Sequence, residues 1–184
     1  ESSAISFGYA VTTYMAQNYG GRLVGRIRRG LLHASLIATL LSACISVVMI
    51  FCGRAVLGLF IDRSNPNAAQ VLEIAYHYLF IMSCLLASLY LLYVFRNTLQ
   101  SLGNATASLF SGLAEFFARV CAACVFTRVA GVEALFFAEP FAWICAVVIV
   151  AVVCLQTVGR LREGGNHGDM EDKRAARLYA GRSD

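Results

Sequence analysis

The sequence has few charged residues. Asp, Glu, Lys and Arg make up 14% of its 184 residues and apolar residues make up 59%. Soluble globular domains carry about 25% charged residues, so this composition excludes a soluble domain and predicts an integral membrane protein. The net charge of +4 does not indicate a nucleic-acid partner, because the basic residues form short clusters beside apolar segments and no continuous basic surface.

The sequence also lacks the motifs of an enzyme. It has no Ser/His/Asp set, metal-ligand cluster or phosphate loop, and the glycines of residues 20–30 are not followed by the Lys-Ser/Thr pair of a P-loop. Its 7 cysteines lie in or beside apolar segments and imply no secreted disulfide framework. Cys121 and Cys124 form a single CxxC without a second ligand pair, so we interpret them as packing residues. We therefore predict a non-enzyme with no cofactor and no bound metal.

Four apolar segments are long enough to cross a bilayer, which takes about 20 residues. Together they make residues 31–158 a four-helix transmembrane region, and we place the spans at 31–51, 72–95, 105–127 and 134–158. Residues 1–19 carry Ser, Thr, Gln17 and Asn18 among apolar residues, which suits the end of a transmembrane helix that lines a polar cavity. The predicted fold class is all-α, a polytopic helical bundle in the membrane.

The arginines predict the orientation of the bundle. Residues 20–30 contain four of them and are interpreted as a cytoplasmic loop. Four crossings then return residues 159–184 to the cytoplasm as a charged tail, predicted to be disordered or loosely helical. Of the 15 basic residues, only Arg54, Arg63 and Arg128 fall on the outer side in this orientation, as the positive-inside rule requires.

The segment from Arg96 to Arg119 combines a polar turn, predicted at 96–104, with a charged pair in the following span. Glu115 and Arg119 are four residues apart, so on a helix they lie one above the other, in the favourable order for an ion pair. They share a helix face with the small residues Ser108, Gly112 and Ala122.

Two roles for this pair are possible, a structural clamp between helices or a binding site. A neutralised ion pair on a small-residue face is poorly placed to bind a cation, which favours the clamp. Glu139, near the outer end of the last span, is expected to be solvated.

Three motifs in this order resemble the C-terminal lobe of the multidrug and toxic compound extrusion (MATE) transporters. A Gln-Asn-x-Gly segment precedes the arginine-rich segment, Leu-Phe-x-Asp precedes an outer loop, and Arg-Asn-x-Leu-Gln-x-Leu-Gly precedes Glu-x-x-x-Arg. The resemblance covers about residues 4–160. Its motifs are Gln17 to Gly20, Leu59 to Asp62, and the turn that contains Arg96, Asn97, Gln100 and Gly103, followed by Glu115 and Arg119.

This resemblance implies that the chain is the end of the eighth helix through the twelfth of a twelve-helix, two-lobe transporter in the plasma membrane. Such a protein exports small organic cations in exchange for Na⁺ or H⁺ by alternating access. Its partners are the bilayer and the N-terminal lobe of the same protein. In this chain the implied pathway candidates are Gln17, Asn18, Glu115 and Arg119.

One departure from the family weakens part of this expectation. Some bacterial members carry a membrane-embedded Asp in the tenth helix, whereas residues 72–95 have no acid beyond Glu73 at their start. A cation site in this lobe is therefore not implied. Two alternatives stay open: a lipid-linked oligosaccharide flippase of the same superfamily, which needs basic residues for pyrophosphate, and a non-transporting membrane fragment or scaffold.

Overall fold

The computed structural model describes the backbone of residues 1–61, 67–130 and 132–180, and the side chains of these residues apart from 129, 130, 132–134 and 162–180. Every regular element in these ranges is a helix, which confirms the predicted all-α bundle. In chain order the elements are α1 (Ser2–Gly20), α2 (Val24–Gly58), α3 (Ala68–Ser101), α4 (Ala105–Ala130), a 3₁₀ helix (Val132–Phe137) and α5 (Ala138–Ala180).

Four of these helical segments are long and apolar enough to cross a membrane. They are α2, α3, residues Ala105–Arg128 of α4, and Leu135–Leu161, which joins the end of the 3₁₀ helix to the first part of α5. Each contains most of one predicted span. The chain is therefore a multi-pass membrane protein whose apolar helices associate with the lipid bilayer.

Two segments predicted as loops are mostly helical. In the arginine-rich segment 20–30, only residues 21–23 connect α1 to α2, and in segment 96–104, α3 continues to Ser101. Neither segment contains a proline, and Arg, Leu and Gln are good helix formers, so both helices extend beyond their apolar spans. At its other end α2 stays helical to Gly58, seven residues past the predicted limit of its span. Of the predicted outer loop, residues 62–66 lie outside the described residues.

The third helix, α3, is the centre of the bundle. It contacts α1, α2, α4 and α5, and its apolar residues lie on all sides of the helix and form no single stripe. A helix of this kind is stable when neighbours cover its whole circumference. Tyr90, Leu92, Val94 and Leu99 in its second half are each at most 3% exposed.

The faces of α4 follow the sequence pattern. Ser108, Ser111 and Ala122 are buried against the bundle, whereas bulky apolar side chains cover the opposite side. Of the small residues predicted to share the face of the charged pair, Ser108 and Ala122 are buried, whereas nothing lies within 4 Å of the Cβ position of Gly112. The exposed bulky residues are Leu109, Phe110, Leu113, Phe116, Phe117 and Val120.

Candidate functional site

Glu115 forms ion pairs with two arginines. Its Oε1 accepts a hydrogen bond from Nη2 of Arg119 at 3.0 Å, which confirms the pair predicted from the four-residue spacing. Its Oε2 accepts a shorter bond, 2.6 Å, from Nη2 of Arg96 on α3. The side chains of Arg96 and Glu115 are only 18% and 15% exposed. Charge-assisted bonds are strong in such a setting, so Glu115 ties α4 to the central helix.

Arg119 extends the contact to α5, where its Nη2 lies 3.0 Å from Oε1 of Glu139. Glu139, which was expected to be solvated at the outer interface, thus also has an ion-pair partner that the sequence did not predict. The 3₁₀ helix packs against α4 after the chain leaves that helix, and α5 then begins beside Arg119. This pair is half-exposed, with 41% of the Arg119 and 36% of the Glu139 side chain accessible.

These four residues, Arg96, Glu115, Arg119 and Glu139, form an ion-pair network that joins three helices. Its two positive and two negative charges cancel, and both carboxylate oxygens of Glu115 are engaged. Nη2 of Arg96 also donates to Oγ of Ser111 at 3.3 Å. Among the described side chains, the Nε atoms of Arg96 and Arg119 are buried without a hydrogen-bond partner. This arrangement suits a clamp that holds helices together.

Asn97, the neighbour of Arg96 in the motif, faces the opposite way and contacts α1. Its Oδ1 accepts a hydrogen bond from Oγ1 of Thr12 at 2.9 Å, and its Nδ2 donates to the carbonyl of Tyr93 at 2.8 Å. Gly8 lies directly opposite, where an added Cβ would be 2.5 Å from Asn97 Nδ2. Asn97 therefore fixes α1 against α3 at a point where an added Cβ would force its amide group to move.

Gln100 and Gly103 shape the connection from α3 to α4. Nε2 of Gln100 donates to Oγ of Ser108 at 2.8 Å across the turn. Gly103 has a φ of +81°, in the left-handed region that favours glycine. Oδ1 of Asn104 then accepts from the backbone N–H of Ala107 at 3.2 Å, the bond of a helix N-cap. Arg96, Asn97 and Gln100 thus each contact a different helical segment or the turn, and Gly103 provides the positive φ of the turn.

Gln17 and Asn18 make their hydrogen bonds at the end of α1. Gln17 is exposed, and its carbonyl accepts from the N–H of Gly21 at 3.1 Å. Asn18 is buried, its Nδ2 donates to the carbonyl of Tyr14 at 2.7 Å, and its own carbonyl accepts from Leu23. The structure does not bring this pair to the ion-pair network, and its place on a transport pathway stays a prediction.

Sequence reasoning missed that Arg96 and Glu139 belong to the network. Both residues lie beside apolar segments of a sequence with few charges, in VFRN and FAEPF. A charge in such a setting favours an ionic partner elsewhere in the chain. That signal indicates a partner, but it does not say which one.

The fold and the balanced intramembrane charges define a polytopic α-helical membrane protein. The MatE family model matches residues 2–125, which include α1 to α3 and both charges of the predicted pair. The chain belongs to the MatE family, whose members are membrane transporters and not enzymes. No curated protein and no solved structure matches the chain.

Proposed function

We propose that this chain is part of the C-terminal lobe of a secondary active multidrug exporter in the plasma membrane. The exporter exchanges small organic cations for Na⁺ or H⁺, and its two lobes alternate between inward-open and outward-open states. Family membership supports the transporter class. The choice of cationic substrates is what the resemblance to the MATE transporters implies.

The observation that favours an exporter of cations over a flippase is the pairing of Arg96 and Arg119 with carboxylates. Arg96 and Arg119 both contact carboxylates, so neither presents an unopposed positive charge to a substrate. A flippase for lipid-linked oligosaccharides needs such charges to bind pyrophosphate. Among the described side chains of α3 and α4, the third arginine is Arg128, which is exposed in the last turn of α4.

The ion-pair network has a structural role in this proposal. It holds α3, α4 and α5 as one body while the lobe moves, and both carboxylate oxygens of Glu115 already contact guanidinium groups. Residues 72–95 have no acid beyond Glu73, so in this proposal the coupling of ion flow to export depends partly on the N-terminal lobe.

The test uses sealed vesicles that contain the full-length transporter and a fluorescent organic cation. An imposed Na⁺ or proton gradient should drive movement of the cation, and an ionophore that dissipates the gradient should stop it. Protein-free vesicles and vesicles without a gradient are the controls. The exporter proposal fails if neither gradient moves the cation. Movement of a lipid-linked oligosaccharide in the same vesicles would then support the flippase.

A further inference from the structure

Four arginines lie together at one end of the bundle. Arg22 is in the turn before α2, and Arg26, Arg28 and Arg29 are in the first two turns of that helix; all four are exposed. We call them the arginine patch. The sequence contains no Asp or Glu from Ser2 to Ile61. Among the side chains that the structure describes, the ion pairs involve other arginines.

The arginine patch lies on the part of α2 that extends beyond its apolar run, and the start of that run indicates the depth of the patch in the membrane. Its 35 residues span about 52 Å, more than the ~30 Å of the hydrocarbon core. The apolar run begins at Leu31, so Arg29, Arg28 and Arg26 lie about 3, 4.5 and 7.5 Å further along the helix axis. The headgroup layer on each side is roughly 5–7 Å thick. With Leu31 at the edge of the hydrocarbon core, the helix holds Arg28 and Arg29 within the headgroup layer and Arg26 at its outer edge.

The arginines also point away from the rest of the bundle. Ile27 and Leu31 are 0% and 4% exposed and mark the inner face of α2. At about 100° per residue, Arg29 lies on the side of α2 opposite that inner face, and Arg26 and Arg28 lie on either side of Arg29. Tyr19 beside the patch is 41% exposed, and tyrosine is enriched at membrane interfaces because its ring is amphipathic.

We propose that the arginine patch binds the phosphates of anionic phospholipid headgroups in the leaflet where α2 begins. A guanidinium donates two parallel hydrogen bonds to phosphate oxygens. An anionic headgroup also compensates the patch charge, whereas the ammonium of phosphatidylcholine opposes it. Each basic residue near an anionic surface contributes about fivefold in affinity, the equivalent of ~1 kcal/mol. This inference concerns the lipid partner and does not depend on the transported substrate.

The test measures lipid binding to the purified full-length protein in detergent by native mass spectrometry. Phosphatidylglycerol and phosphatidylcholine with the same acyl chains are the two probes. The wild type should bind phosphatidylglycerol at least tenfold more tightly. The variant Arg26→Gln/Arg28→Gln/Arg29→Gln should lose at least tenfold of that affinity, and the matching triple Lys variant should keep most of it.

Arg54→Gln is the matched control, because Arg54 is an exposed arginine at the opposite end of α2 that already pairs with Glu73. Its phosphatidylglycerol affinity should equal that of the wild type. If the Gln variant does not fold, the salt dependence of the wild type decides, since 1 M salt shortens the Debye length to about 3 Å and should displace the lipid. Equal affinity of the wild type for both lipids overturns the proposal. The proposal is also overturned if the affinity for phosphatidylglycerol stays the same after the Gln substitutions or in 1 M salt.

Discussion

At the scale of single residues, Glu115 and Glu73 show how burial changes the contribution of an ion pair to the stability of the protein. Glu115 is 15% exposed and holds two arginines from two helices. Glu73 is 69% exposed and pairs with Arg54, which also stacks over the ring of Tyr76. An exposed pair is screened by solvent, whereas loss of one partner of a buried pair leaves a charge in a low-dielectric setting.

The substitution Glu115→Gln should therefore destabilise the protein strongly. It removes the carboxylate between Arg96 and Arg119 and leaves the buried guanidinium of Arg96 uncompensated, a change that costs roughly 3–5 kcal/mol in comparable buried pairs. Glu73→Gln is the matched control and should cost about 0–1 kcal/mol. The measurement is the thermal unfolding midpoint and the monodisperse yield of the full-length protein in detergent. Normal yield with lost ion coupling would show that Glu115 is functional and not a clamp.

The double variant Arg96→Met/Glu115→Met should cost less than Glu115→Gln alone. Removal of both partners leaves Arg119 paired with Glu139, so no buried charge is left unopposed. A double-mutant cycle that includes each single Met variant measures the coupling between positions 96 and 115. Additive losses would mean that the 2.6 Å contact contributes nothing to stability.

Of this network, sequence could predict only the contact within one helix. The four-residue spacing of Glu115 and Arg119 defines their geometry once α4 is a helix. The contacts of Arg96 and Glu139 depend on how α3 and α5 are placed along α4, and periodicity within one helix carries no information about that placement.

At the scale of helices, polar contacts run along the interface of α1 with α3. Oγ of Ser3 lies 2.6 Å from the hydroxyl of Tyr90, and Oγ of Ser101 donates to the carbonyl of Thr12 at 3.2 Å. The Thr12 contact to Asn97 lies between them along α3. Small residues and short polar side chains of this kind let membrane helices approach closely.

Substitution of Gly8 by Ala should weaken this interface. The added Cβ would displace the amide of Asn97 and break its bond to Thr12, and overpacking of this kind costs about 1–3 kcal/mol. Gly25→Ala is the control, because nothing lies within 4 Å of its Cβ position, and helix propensity predicts a gain of roughly 0.5–1 kcal/mol. Unfolding midpoints of both variants check the difference. Equal midpoints would contradict the close contact.

The existence of the spans was predictable, whereas several helix ends were not. Hydropathy alone locates a run of about 20 apolar residues. The start of α2 has no such signal, because its N-cap is Leu23 and no side chain caps the helix. The polar residues of 96–101 similarly extend α3 because they bond to neighbouring helices, as Arg96 and Asn97 do.

At the scale of the whole molecule, charge asymmetry predicts the orientation of the bundle. The arginine patch and Arg160 lie at ends that four crossings place on the same side, and Arg54 lies at the other. An epitope tag after Asp184 should be reached by antibody only in permeabilised cells. A tag inserted between Ile61 and Asn67 should be reached in intact cells. The reverse result would refute the cytoplasmic placement of the tail.

The ion-pair network also bears on how the chain enters the bilayer during synthesis. Glu115 and Arg119 lie on the same helix, so the middle of α4 can enter the bilayer without net charge, and Arg128 lies in the last turn of the helix. Arg96 emerges earlier and Glu139 later, each near the end of its own span, where a charged side chain still reaches water. When the helices assemble in the bilayer, Arg96 exchanges its contacts with water for the ion pair with Glu115. Glu139 likewise exchanges water for the ion pair with Arg119. The ion pair within α4 thus favours insertion of that helix, and the ion pairs between helices form afterwards, when the bundle assembles.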